Sequence, residues 1–258
     1  MRLLSPILIV SLVLSTPALA AHAQSYDQPE NLQSQAEQLM ELANQSRAQA
    51  GTAPLNWDPA LAQAALAHCA RMVAEGPIAH RYNGELDVAG RAAQAGAHFS
   101  LIEENVAVGP NAPAIHDEWM HSPGHRTNLL NSQVNRVGIA ILASRGTLYA
   151  VADYSSAVRA LSPFQVEASI GNLIRPSGLT VLADPSVARS YCASDRGPAG
   201  APRPGFIMLW QGSDLTHLPQ QLVDRLSSGQ YHRAAIGNCP AQSDQSAFTS
   251  YRIAVLLY

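Results

Sequence analysis

The stretch "HSPGHR" sets His121 and His125 four residues apart with Ser122, Pro123 and Gly124 between them. Imidazoles at i and i+4 on one helical face are a zinc-binding arrangement, but proline and glycine between them oppose a continuous helical turn. The pair by itself therefore offers no helical zinc site, and either ring would need a partner from elsewhere. His68 has no partner of metal-binding type at turn spacing and reads as a half-buried helix residue. His217 and His232 lie on polar segments and read as surface residues. Of the three cysteines, Cys69 sits in a helical pattern and reads as a small buried apolar residue rather than a nucleophile. Cys192 and Cys239 are left to pair with each other, closing a loop worth about 4 kcal/mol in the loop-closure model.

The elements that carry these residues follow from periodicity and caps. Ser34 and Glu37 stand in capping-box spacing before Leu39, Leu42 and Ala43, and Gly51 supplies a left-handed stop. Asp58 and Pro59 start a second helix running to about Glu75, with Leu61, Ala65, Cys69, Met72 and Val73 as its buried stripe. "ELDVAGRAAQAG" predicts a short third helix, and residues 100–108 end in a β-friendly run. Ala112 to Met120 predicts a fourth helix with Ile115 and Trp119 on one face. "RVGIAIL" and "LYAVADY" flank a glycine-containing turn as an antiparallel hairpin. Helices over a small antiparallel sheet make this part α+β. From residue 156 onward the chain is richer in proline and glycine: "FIMLW" and "YRIAVLLY" predict strands, and "LPQQLVDRLSSG" predicts a helix.

The 258 residues are 47% hydrophobic and 14% charged, with a formal charge of −3 and no basic cluster, so nucleic acid is not an expected partner. Residues 1–23 read as a secretory signal peptide: Arg2, then an apolar run, then "ALA" and "AHA" as cleavage sites. The expected organisation is this leader, a linker at 24–33, a first domain at 34–155 and a C-terminal domain of unassigned role at 156–258. No second apolar run reaches membrane-spanning length, so the expected location is secreted or periplasmic, where disulfides persist.

Four stretches in one order, "NQSRAQAGTAPLNWDPALAQAALAHCARM", "AHR" at 79–81, "EENVAVG" at 103–109 and "EWMHSPGHRTNLLN" at 118–131, resemble bacterial members of the CAP superfamily (cysteine-rich secretory proteins, antigen five, pathogenesis-related one; the SCP domain). The likeness covers about residues 36–154. It implies a CAP-like α-β-α sandwich followed here by a second, smaller α+β or mostly-β domain. It also implies a surface cleft where two histidines and acidic residues meet, often with zinc. Carried over residue by residue, His80 matches the first family histidine, Glu104 the glutamate of its "GEN" motif with Glu103 in place of the glycine, and His125 the histidine of "PGHR". Ser122 stands where animal and plant members carry a second glutamate.

The resemblance thus implies His80 and His125 as metal ligands, a cleft of His80, Glu104, His125 and Ser122, and Glu104 or Glu103 as catalytic candidates. Glu118 is a further carboxylate near the motif, although neighbours on a strand face opposite ways. Ser122 lacks the Gly-x-Ser-x-Gly setting of a nucleophile elbow. Asn105, Asn128 and Asn131 read as caps and local backbone partners. Three functions stay open: binding of a small extracellular ligand, such as a lipid or envelope component, with a metal-capable histidine pair; zinc-dependent hydrolysis of peptide, peptidoglycan or lipid; and a surface interaction module. A fourth reading makes His80, Glu104 and His125 a hydrogen-bonded cluster that only ties helices to sheet.

Overall fold

A computed structural model describes residues 29–194, 196–240 and 247–258. The expected signal peptide lies outside the described residues. The first helix, α1 (Pro29–Gln49), begins five residues before the expected start. The linker at 24–33 is thus partly helix, because proline is tolerated in a first turn and Leu32 already packs on the core. The polar residues around Leu32 gave no period by which to read that turn.

After the two-residue strand β1 (Asn56–Trp57), the Asp58 carboxylate accepts from the N–H groups of Ala60 and Leu61 and caps α2 (Pro59–Glu75). Then come α3 (Val88–Gln94), the long strand β2 (Phe99–Gly109), α4 (Ala112–His121) and α5 (Pro123–Leu130). The hairpin β3 (Arg136–Ser144) and β4 (Thr147–Ala157) completes a sheet of order β1-β3-β4-β2, with β1 parallel to β3 and the other pairs antiparallel. Alternation along the strands divides two layers. Leu39, Ile115, Trp119 and Leu129 from α1, α4 and α5 pack on Val137, Ile139, Ala152 and Tyr154. On the other face α2 and α3 pack on Phe99, Val106, Ala140 and Val151. This is the α-β-α sandwich expected. Gly138 lets α2 approach so closely that a Cβ there would lie 2.0 Å from the backbone nitrogen of Ala62.

The remainder is also α+β, not mostly β. It comprises α6 (Pro163–Ile174), β5 (Thr180–Val181), α7 (Ser186–Ser194), β6 (Phe206–Gly212), α8 (Gln220–Leu226), β7 (Arg233–Cys239) and β8 (Tyr251–Leu257). Its sheet, β5-β7-β8-β6, repeats the first in order and direction: β5 is parallel to β7, and β7–β8 and β8–β6 are antiparallel. The helices repeat as well, with α6 and α8 on one face and α7 on the other. Even the close approach recurs, since a Cβ on Gly237 would lie 2.3 Å from the nitrogen of Arg189 in α7. Among the described residues nothing corresponds to α3; residues 196–205, between α7 and β6, hold no helix or strand. Cys192 of α7 and Cys239 of β7 are joined, with an S–S distance of 2.07 Å, while Cys69 is a buried free thiol whose pKa burial pushes up to about 12.

Candidate functional site

β2 is an edge strand, so side chains from both helical layers reach around its outer margin. Glu104 points toward α2 and α3 and is buried. Its Oε1 accepts from Nδ1 of His80 at 2.8 Å, and Arg91 of α3 donates through Nη2 to Oε2. Arg91 is also held by the backbone carbonyls of Leu86 (2.9 Å) and His80 (3.2 Å), which fixes the segment between α2 and α3 around the carboxylate. Both Glu104 oxygens are therefore committed. His80 itself has a side chain 60% exposed. The hydrogen bond it donates to Glu104 raises its pKa above the ordinary imidazole value, against a smaller lowering by burial.

A second tier lies beneath. His68 is completely buried rather than half-buried as the helical period suggests. Its Nδ1 meets Glu85 Oε1 at 2.8 Å and its Nε2 meets the carbonyl of Ala79 at 2.8 Å, so each ring nitrogen is placed to donate. Glu85 also accepts from the N–H of Tyr82 at 2.9 Å and lies 3.8 Å from Arg91. On β4, directly opposite Glu104, stands the buried Asp153.

From the other layer α5 brings His125, whose carbonyl accepts from Asn105 Nδ2 at 3.0 Å. Burial lowers the His125 pKa, and the nearby His80 ring lowers it further, opposed by Glu118. Ser122 ends α4 and opens α5 without a side-chain capping bond, and His121 is exposed and turns back to the carbonyl of Asp117 at 2.8 Å, away from the site. Glu103 faces the opposite way from Glu104 and accepts from Asn131 Nδ2 at 3.0 Å, so it stays with the α1 and α5 layer. Asn128 donates to the Glu104 carbonyl at 3.2 Å and to Asn105 Oδ1 at 3.0 Å, a local backbone role. The sequence marks His68 only as a half-buried helix residue and gives no signal for Glu85, Arg91 or Asp153. Glu85 and Arg91 lie in a short alanine-rich helical stretch with no motif, and Asp153 is one polar residue within an otherwise apolar strand.

For a metal, His80 is braced at Nδ1 by a carboxylate, the usual outer support of a ligating imidazole, and Nδ1 of His125 is buried without a partner among the described residues. Among those residues no group of three His, Cys, Asp or Glu side chains is placed to hold an ion. Two imidazoles without a third protein donor would make at most an open site completed by water or ligand, not a closed structural zinc. A cavity of about 370 Å³ lies between the two sheets, lined by Ser100, Arg159, Asp214 and Tyr251 among others. Neither imidazole lines it; His80 is exposed and His125 half-buried.

Residues 40–154 match the family model described as the cysteine-rich secretory protein family, CAP, and this part of the chain is a CAP domain. Two curated relatives from Bacillus subtilis are similar to it: the uncharacterized membrane protein YlbC, 30% identical over 105 residues, and the uncharacterized protein YkwD, 28% identical over 120 residues. The matches cover 40% and 45% of this chain, and 30% and 46% of those proteins, so the chain spans less than half the length of either. A crystal structure of an extracellular SCP-domain protein from Bacillus anthracis is similar at 23% identity and a TM-score of 0.46, covering 50% of this chain and 43% of that one. No helix among the described residues is long and apolar enough to cross a membrane.

Proposed function

We propose that this is a secreted or periplasmic CAP-domain protein that binds a small extracellular ligand, a lipid or an envelope component, at the exposed imidazole of His80 and the neighbouring His125, with a divalent metal such as zinc as an exchangeable element of the site. The observation that carries the reading is the commitment of Glu104. Buried, salt-bridged to Arg91 and hydrogen-bonded to His80, it holds an imidazole in place with each oxygen already accepting a hydrogen bond, an arrangement that favours positioning over water activation. Glu103 faces away from Glu104 and His80, in the α1 and α5 layer, where its Oε1 accepts from Asn131 at 3.0 Å. The merely structural alternative leaves unexplained why His80 keeps most of its side chain in solvent.

The test uses the full chain, as wild type, His80→Ala, His125→Ala and Glu104→Gln. Equilibrium dialysis against zinc should show binding in the wild type that both histidine variants lose. Hydrolysis of casein, peptidoglycan sacculi and short-chain lipid esters should be equally absent from wild type and Glu104→Gln. Turnover in the wild type that Glu104→Gln abolishes would replace this reading with the metal-dependent hydrolase. Pull-down on sacculi or phospholipid vesicles that neither histidine change affects would move binding away from this site, to the surface-module reading.

A further inference from the structure

Asp153 is fully buried on the face that packs against α2 and α3, and it stands opposite Glu104 in the β2–β4 register. Among the described residues no N–H or O–H donor reaches either of its oxygens. Its other strand neighbour in register, Gly138 of β3, has no side chain to offer. Directly across the strand pair, on the same buried face, stands the Glu104 carboxyl. Two carboxyls facing each other in a dry site do not both ionise readily, because repulsion and desolvation act in the same direction. The charged groups packed around the pair are Arg91 from α3, His68 from α2 at 4.0 Å from Glu104 Oε2, and Glu85 and His80 from the segment between those helices. Arg91 already points its Nη2 at Glu104.

The second sheet supplies an internal comparison. Val137 of β3 pairs with β1 and with Tyr154, so Asp153 is one residue before that crossing; Ala234 of β7 pairs with β5 and with Leu257, so Leu256 holds the same place. Leu256 pairs with Ile207 as Asp153 pairs with Glu104. Leu256 is buried against α7, as Asp153 is on the α2 side. One topology is thus built once with an apolar pair and once with two acids, so the sheet does not require the acids. The half that has them also has the segment bearing His80 and Arg91, and the half that lacks them has no α3 among its described residues.

We propose that Asp153 is a positioning residue of the histidine site: it keeps its proton and donates it to Glu104, so that the pair carries one negative charge, held on the oxygens that face His80 and Arg91. One proton then serves two carboxyls, Asp153 as O–H donor and Glu104 as acceptor, and the Glu104 charge fixes the Nδ1–H tautomer of His80 with Nε2 turned outward. Burial first, and then the neighbouring Glu104, raise the Asp153 carboxyl well above the ordinary carboxylate range, in keeping with a retained proton. The link to a ligand rests on the function proposed above, whereas the proton does not.

Infrared difference spectra of the full chain near neutral pH, wild type minus Asp153→Asn, test the proton directly. A protonated-carboxyl stretch present in the wild type and missing from the variant is expected; its absence overturns the proposal. Nitrogen-resolved histidine NMR tests positioning. Asp153→Asn, whose amide donates as the acid did, should leave the tautomer and titration of His80 unchanged. Asp153→Leu, the residue of the second sheet, should mix the His80 tautomers and move its titration midpoint. A midpoint lowered in Asp153→Asn would mean that a charge had been removed, and a midpoint and tautomer unmoved in Asp153→Leu would mean no positioning; either result refutes the role. Should Asp153→Leu fail to fold, the asparagine variant and the infrared band still decide. Zinc binding by His80→Ala is read independently, so the site and the shared proton can fail separately.

Discussion

Replacing Arg91 with methionine isolates the charge that holds the site together. Its side chain is 5% exposed and that of Glu104 3%, so the pair is buried, and removing one partner of a buried ion pair costs about 3–5 kcal/mol through the stranded charge. Arg91 also serves the carbonyls of Leu86 and His80, each loss adding about 1 kcal/mol where water does not replace the donor. The expected total is about 4–6 kcal/mol, or roughly a 10–20 °C fall in the midpoint of the transition that unfolds the first sheet. Urea unfolding followed by the fluorescence of Trp119, buried beneath that sheet, reports it. Adding Glu104→Leu to Arg91→Met should recover about 1–4 kcal/mol, since an apolar pair in this register is what the second sheet carries. A loss below about 1 kcal/mol for Arg91→Met, or a double variant less stable than the single, would refute the account of a buried, mutually dependent pair.

Three further outcomes are expected. Gly138→Ala should destabilise the first sheet by about 1–3 kcal/mol or more, because the new methyl meets backbone rather than a flexible side chain; thermal melts measure it, and an unchanged midpoint would show that α2 can retreat. Cys192→Ala with Cys239→Ala should cost the second half about 4 kcal/mol by loop closure, while thiol titration of the native wild type finds none reactive, Cys69 being buried with its pKa pushed up. For pH, the folded pKa of His80 is raised above its unfolded value of about 6.5, so its contribution to stability is fully present below that value and is lost as pH rises through the folded pKa; Glu104→Gln should flatten this dependence in stability measured across that window.

The parts legible in the sequence are those that local chemistry specifies. Asp58 and Pro59 announce α2, Gly51 ends α1, and the apolar runs on either side of Gly146 announce the hairpin, because caps and periodicity act over a few residues. α6 and α7 passed unread, as did the two-residue strands β1 and β5, which exist only by pairing with β3 and β7 far along the chain. In the site, His80, Glu104 and His125 were reached through motif resemblance, not through period or spacing. Arg91 and Asp153 were not reached at all. A buried arginine in a short alanine-rich helix and an aspartate within a strand look like exposed polar residues until the register sets them beside Glu104.

That register explains why the chemistry sits where it does. β2 is the outer strand of its sheet, so Glu104 and Glu103, one residue apart, serve different layers, and the two imidazoles approach the edge from opposite sides, His80 from the α2–α3 segment and His125 from α5. A central strand would be walled in on both margins. In the second sheet β6 occupies the same outer place, yet its partner positions are Ile207 and Leu256, and the described residues between α7 and β6 hold no helix like α3. The shared topology therefore accounts for the scaffold alone. The site is accounted for by the residues 76–98 that only the first half inserts, together with the two acids that this insertion makes affordable to bury, since Arg91 brings the compensating charge.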